Sequence, residues 1–139
     1  MAERDYSHVP LWRKLGIRSG ARVALAGAPP TLRDSLGEIP SGVALVAAPA
    51  AGSDVVLWFP ASAAELKGEF GALKATLQFD GGLWVAWPKR ASKVPTELDF
   101  ALVQGTGLDA GLVDNKECSI DAVFSGLRFV YRRADRPSR

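Results

Sequence analysis

Apolar residues in this chain come in short, dense runs separated by small-residue turns, and that pattern predicts most of the elements. Arg22-Val-Ala-Leu-Ala26, Val43 to Ala47, Asp54-Val-Val-Leu-Trp-Phe59 and Leu83 to Trp87 are near-continuous apolar segments of strand length. Such runs suit strands buried on both faces, because a strand with one wet face alternates apolar and polar residues. Gly27-Ala-Pro-Pro30, Pro49 to Ser53 and Pro60 interrupt them. Helical spacing lies between the runs. Pro10-Leu11-Trp12-Arg13-Lys14-Leu15 predicts a short helix ended by Gly16, and Thr31 caps a second through Leu36, closed by Gly37. The clearest helix covers residues 62–78. Ser62 with Glu65 three residues on forms a capping box, and Leu66, Phe70, Leu73 and Leu77 share one face before Gly81-Gly82 ends the segment. A last helix runs from a Thr96 cap toward Leu112, with Leu98, Leu102, Val103 and Leu108 inward and Gly105-Thr106-Gly107 as its weak point. Glu117 to Ala122 and Leu127 to Arg133 alternate loosely and read as a hairpin joined by Phe124-Ser125-Gly126.

The predicted order is helix, β, α, β, β, α, β, α, β, β. Buried strands alternating with helices imply an α/β fold of three layers, a mostly parallel Rossmann-like sheet of about six strands with helices on both faces. The terminal antiparallel hairpin resembles the last two strands of the Rossmann-like methyltransferase architecture. ATLQFDGGLWVAWP is similar to that fold's passage from helix to strand. The likeness spans about residues 20–133.

Composition narrows the setting. A chain of 139 residues suits a single domain over residues 1–139, with loose ends expected at about 1–8 and 134–139. Apolar residues make up 47% and charged residues 23%, an ordinary globular balance. With 17 basic and 15 acidic residues the formal net charge is +2, which makes no general case for nucleic acid. One cysteine, Cys118, precludes an internal disulfide framework and fits a reducing cytoplasm. MAERDYSHVP has no apolar signal core, and no stretch approaches the roughly 18–20 apolar residues of a membrane span. The expectation is a cytoplasmic protein with no membrane association.

A narrower resemblance covers nearly the whole chain. LGIRSGARVAL, DVVLWF, GGLWVAWPKRASKVPTEL and GLVDNKECSIDAVFSGLRFVYRR together resemble a bacterial domain-of-unknown-function family of about this length. WPK-x-S-x-x-P-T-x-L and GLVD-x-K-x-C carry the likeness. That family's pattern has a Trp two residues before the SG of the hairpin. This sequence has Val123 there, with Phe124 next, so an aromatic is kept only nearby. The resemblance implies a fold and brings no activity with it.

The candidate chemistry gathers after Trp87. Lys89, Arg90, Ser92, Lys93 and Thr96 follow the carboxyl end of an apolar strand and precede a helix start. Open α/β sheets bind ligands at that rim, and a helix N-terminus adds free N–H groups and a positive dipole end. These residues form a candidate anion site, with Trp87, Asp114, Lys116 and Asp121 at its rim. The competing reading is a solvated loop, with Glu97 and Asp99 already satisfying the helix end. A methyltransferase cofactor needs a glycine-rich turn after the first strand and a carboxylate after the second. Here the turn is Ala26-Gly27-Ala28-Pro29-Pro30, whose prolines lack N–H groups, and Ala47-Ala48-Pro49 carries no acid. Glu38 and Asp54 are substitutes out of place, and the link from Ala48 to Ser53 leaves no room for a further helix and strand. No cofactor and no metal is expected: one histidine, His8, and one cysteine do not make a metal site. Cys118 reads as a small buried hydrophobe.

Three readings stay open. The first is a non-catalytic binding or regulatory module using the Lys89–Thr96 loop for a small anionic ligand. The second is a methyltransferase dependent on S-adenosylmethionine, with a remodelled pocket. The third is a structural or interaction protein that assembles, as a homodimer for example, through a sheet edge or its basic tail.

Overall fold

A computed structural model describes residues 9–137. Its six-stranded sheet has the order β2-β1-β3-β4-β6-β5. β1 (Arg22–Ala26), β2 (Ala44–Val46), β3 (Ser53–Trp58) and β4 (Leu77–Pro88) pair in parallel. β6 (Phe124–Tyr131) runs antiparallel to β4 and to β5 (Leu112–Ser119). The α/β class, the mostly parallel sheet and the terminal hairpin are therefore as the sequence predicts. Among the described residues four helices complete the layers: α1 (Leu11–Lys14), α2 (Leu32–Leu36), α3 (Ala63–Thr76) and α4 (Phe100–Asp109).

The apolar runs are continuous because successive side chains enter different cores. Ala24, Ala26, Val56, Trp58, Leu83, Val85 and Trp87 pack with Leu66, Phe70 and Leu73 of α3 and Val103 of α4. Their strand neighbours Val23, Leu25, Val55, Leu57, Phe59, Trp84 and Ala86 pack with Leu11 and Leu15 beside α1 and Leu32 and Leu36 of α2. The strand period of two delivers both sets. Trp84 is fully buried, and its indole N–H donates to the Leu15 carbonyl at 3.0 Å. That bond satisfies the indole and ties the end of α1 to the sheet.

Several boundaries differ from the sequence reading, each for a local reason. β2 is a three-residue edge strand with Ala44 and Val46 exposed, so it is not buried on both faces. α3 stops at Thr76, and Leu77 is extended, so β4 begins well before the Gly-Gly pair. The pairing slips between Ser53↔Leu77 and Val55↔Gly82, which loops Gln78 to Gly81 out of register. α4 starts at Phe100 because Asp99, not Thr96, is its N-cap: the carboxylate accepts from Leu102 N–H at 2.8 Å. Thr96 instead holds a tight turn, its hydroxyl accepting from Leu98 N–H at 3.0 Å. Leu108, expected inward, is 41% exposed, while Gly107 faces the core. The hairpin turn lies at residues 120–123, and Phe124-Ser125-Gly126 belongs to β6. Asp121 makes that turn, its Oδ1 accepting from the N–H groups of Val123 and Phe124, both at 2.8 Å.

Expectations about residues 1–8, His8 included, and about residues 138–139 lie outside the described residues. Arg133–Asp135 form a 3-10 turn, and Arg136 donates to the Tyr131 carbonyl through Nε at 3.2 Å and Nη2 at 3.0 Å. Among the described residues no helix is long and apolar enough to cross a membrane.

Gly107 and Gly105 sit in the same helix with opposite surroundings. A Cβ on Gly107 would overlap the buried Phe129 ring, whereas a Cβ on Gly105 meets nothing within 4 Å. Gly107→Ala is expected to destabilise the protein by about 1–3 kcal/mol through overpacking. Gly105→Ala is expected to stabilise it by about 0.5–1 kcal/mol through helix propensity. Urea unfolding midpoints of the two variants, moving in opposite directions, check the pair.

Candidate functional site

The loop after β4 opens at the carboxyl rim of the parallel strands. Register places Trp87 opposite Ser125 and Pro88 opposite Phe124, with Ser119 beyond Ser125 on β5. The loop therefore emerges beside the hairpin turn. Lys89 locks the two together. Its N–H donates to Val123 O at 2.7 Å, and its ammonium donates to Ser119 Oγ at 2.6 Å and to Asp121 O at 2.7 Å. Ser92 is also engaged, its hydroxyl donating to Lys89 O at 2.6 Å across the 3-10 turn Arg90–Ser92. Lys93 ends that turn in the left-handed region, at φ 61°, where a non-glycine residue is uncommon and carries some strain.

A groove of about 720 Å³ lies between this loop and the start of α4. Trp87, Pro88, Arg90, Lys93, Thr96 and Phe100 are among its walls. The structure thus gathers Arg90, Lys93, Thr96 and Trp87 from the sequence candidates and directs Lys89 and Ser92 to holding the loop. Trp87 forms the floor, edge-to-face with Phe100 at 6.2 Å between centroids. Arg90 and Lys93 are exposed.

Two carboxylates share the groove, and both are engaged by helix ends. Asp99 caps α4. Glu97 reaches across to α3, where Oε1 accepts from Ala63 N–H at 2.9 Å. α3 already has its capping box: Ser62 Oγ accepts from Glu65 N–H at 3.0 Å and Glu65 Oε2 from Ala61 N–H at 2.9 Å. Glu97 therefore supplies a third side-chain partner, and a second carboxylate, to the α3 N-terminus. The partial positive charge of each helix end offsets the acid that caps it. The helix ends offer little to an outside anion, and the attraction falls to Arg90 and Lys93. The role of Glu97 is invisible in the sequence because its donor lies 34 positions away.

The remaining candidates lie elsewhere. Asp114 is level with Phe129 and hence with Leu83, away from the carboxyl rim, and Gln104 Nε2 lies 3.3 and 3.4 Å from its two oxygens. Lys116 donates to the Lys14 carbonyl at 3.1 Å, at the end of α1. Asp121 is at the rim, with Oδ1 engaged in the hairpin turn. Cys118 is half-buried beside Lys116, and burial holds its thiol above the ordinary range against the lowering effect of Lys14, Lys116 and Lys89. Among the described residues no cluster of His, Cys, Asp and Glu is placed to hold a metal ion.

The fold implies a second site, the crevice where the strand order reverses between β1 and β3. Here that crevice is closed. Phe59 N–H donates to Ala26 O at 2.9 Å, extending the pairing past the strand ends. Gly27, at φ +66°, packs so tightly that a Cβ would sit 3.0 Å from Phe59 O. The Phe59 side chain is 7% exposed and stacks edge-to-face on Phe124 at 5.0 Å. The nearby hollow measures about 140 Å³ and is lined by Leu25, Ala28, Pro29, Pro30, Arg33 and Ala47, among others. Small-molecule sites run to roughly 300–1,000 Å³. The lining offers a cation to a sulfonium ligand and no carboxylate for ribose hydroxyls. Asp54 is far from this rim, accepting from Arg22 N–H at 2.9 Å at the amino ends of β1 and β3. These residues do not fit S-adenosylmethionine.

Comparison with known proteins bears on the fold. No family model matches the sequence, and no curated protein does. Solved structures match strongly. A Sulfolobus solfataricus protein assigned to the type 11 methyltransferases is 12% identical, with TM-score 0.65, over 100% of this chain and 98% of that one. A SAM-dependent methyltransferase from Aquifex aeolicus is 13% identical, with TM-score 0.57, over 86% of each chain. A TehB-like SAM-dependent methyltransferase from Corynebacterium glutamicum is 12% identical, with TM-score 0.56, over 89% of each. The neighbours lie closer to the methyltransferase alternative drawn from the sequence than to its non-catalytic reading. At these identities they establish that the chain has the methyltransferase fold.

Two measurements follow from the rim. Lys89→Met should lower stability by about 1–2 kcal/mol, because two bonds from the ammonium that tie the loop to the hairpin are lost. Arg90→Met, on the exposed loop, should stay within about 0.5 kcal/mol of the parent; chemical denaturation compares them. For Cys118, burial favours the protonated thiol. Its contribution to stability is full below the unfolded thiol's pKa and falls as pH rises toward the folded one. Alkylation of the native protein should therefore show an inflection displaced upward relative to the urea-unfolded chain.

Proposed function

We propose that this protein is a binding module built on the methyltransferase fold, recognising a small anionic ligand in the groove beyond β4. One observation carries the reading: Arg90 and Lys93 stand exposed over a groove at the carboxyl rim, while the neighbouring acids are held by helix ends. Guanidinium and ammonium groups over a partly desolvated floor suit a phosphate or carboxylate. The Lys89 clamp supports the same reading, since it fixes the loop to the hairpin and lowers the ordering cost of binding.

A second reading is favoured by a different observation. The structural neighbours named as methyltransferases support an enzyme using S-adenosylmethionine. Against it stand the closed crevice between β1 and β3 and the missing acid after β2. Isothermal titration separates the two. Inorganic phosphate should bind the parent, and Arg90→Ala with Lys93→Ala should weaken it at least about tenfold. S-adenosylmethionine and S-adenosylhomocysteine should give no saturable heat at millimolar concentration. Micromolar binding of either would replace the first reading with the second.

A further inference from the structure

We propose that the occupant of the β4 groove is a planar aromatic ring carrying one anionic group. This rests on the anion reading above and adds the ligand's apolar part. The floor and mouth of the groove are unlike a bare anion cradle. Trp87 underlies it, and Phe100 is 38% exposed and Val94 43% exposed at its edge. Phe100 is the first residue of α4 and is not needed to complete the core, which α4 reaches through Val103 and Gly107. Exposed Phe100 at the mouth and buried Trp87 on the floor give the groove apolar surface that a ring can cover.

The aromatic geometry selects a ring over a flexible chain. Trp87 and Phe100 meet edge-to-face at 71° between planes, and Phe100 stays 38% exposed beside the groove. Ring pairs gain from offset or edge-to-face contacts beyond their buried area. Pro88 and Pro95 on the same walls are rigid apolar surfaces that need no ordering. Arg90 serves both parts of such a ligand, since its guanidinium stacks on aromatic faces and pairs with oxyanions. The volume of about 720 Å³ accommodates a ring and its head group within the usual range for small-molecule sites. Lys93 ends the 3-10 turn and is exposed beside the groove, a cation for the anionic end.

The test is isothermal titration of the full chain with inorganic phosphate, butyl phosphate and phenyl phosphate. Phenyl phosphate should bind about tenfold tighter than inorganic phosphate, with butyl phosphate gaining no more than about threefold. Phe100→Ser, at an exposed position that leaves the core intact, should remove the phenyl advantage and leave phosphate affinity unchanged. Circular dichroism and melting of that variant confirm its fold. If phenyl and butyl phosphate bind alike, or the advantage survives Phe100→Ser, the aromatic occupant is refuted while the anion site stands. If no phosphate binds and Arg90→Ala with Lys93→Ala changes nothing, both readings fail together.

Discussion

Burial of β3 and β4 on both faces is the constraint that the rest of this structure serves. From Val55 to Trp58 and from Leu83 to Trp87 every position must be apolar, and each face must be covered by its own pair of helices. β4 meets the demand with two tryptophans of opposite aim. Trp84 enters the α1/α2 side and bonds to the Leu15 carbonyl; Trp87 enters the α3/α4 side near the rim. A strand so occupied cannot turn polar until it leaves the sheet. That is why the charge after Trp87 arrives so abruptly, at the place where Pro88 ends the ladder.

The same arrangement collects helix N-termini at one rim. In a parallel α/β sheet those ends face the carboxyl side of the strands, where they favour anions. This protein answers much of that field internally. Glu97 caps α3 across the fold, and Asp99 caps α4 locally. Lys89 plays the complementary part, tying Ser119 and the Asp121 carbonyl to the loop. The rim is held by its own charges, and Arg90 and Lys93 project from a scaffold already rigid.

Closure of the crevice between β1 and β3 separates fold from chemistry. The neighbours share the fold, and likeness of fold says nothing about whether a ligand can enter between strands. Here one backbone bond from Phe59 to Ala26, a glycine against Phe59, and an aromatic pair fill the space. The passage from β2 to β3 is short, running from the carboxyl end of one strand to the amino end of the other. It has no room for the elements that would build a wall around an adenosine.

The sequence by itself determined the class of fold. Doubly buried strands require unbroken apolar runs, and turns require glycine, proline or a capping side chain; both demands are local and leave marks in the chain. The Ser62–Glu65 capping box and the runs of β1 and β3 were legible for that reason. Tertiary structure decided what depends on distant partners. Leu77 passed from helix to strand because Ser53 offered a ladder. Gly107 turned inward because Phe129 fills the space a side chain would need. Lys89 and Arg90, adjacent and alike in charge, were divided between clamp and groove only by where Ser119 and Asp121 came to rest. Local spacing fixes which residues form an element. Only the packed fold fixes which polar groups find partners and which remain for a ligand.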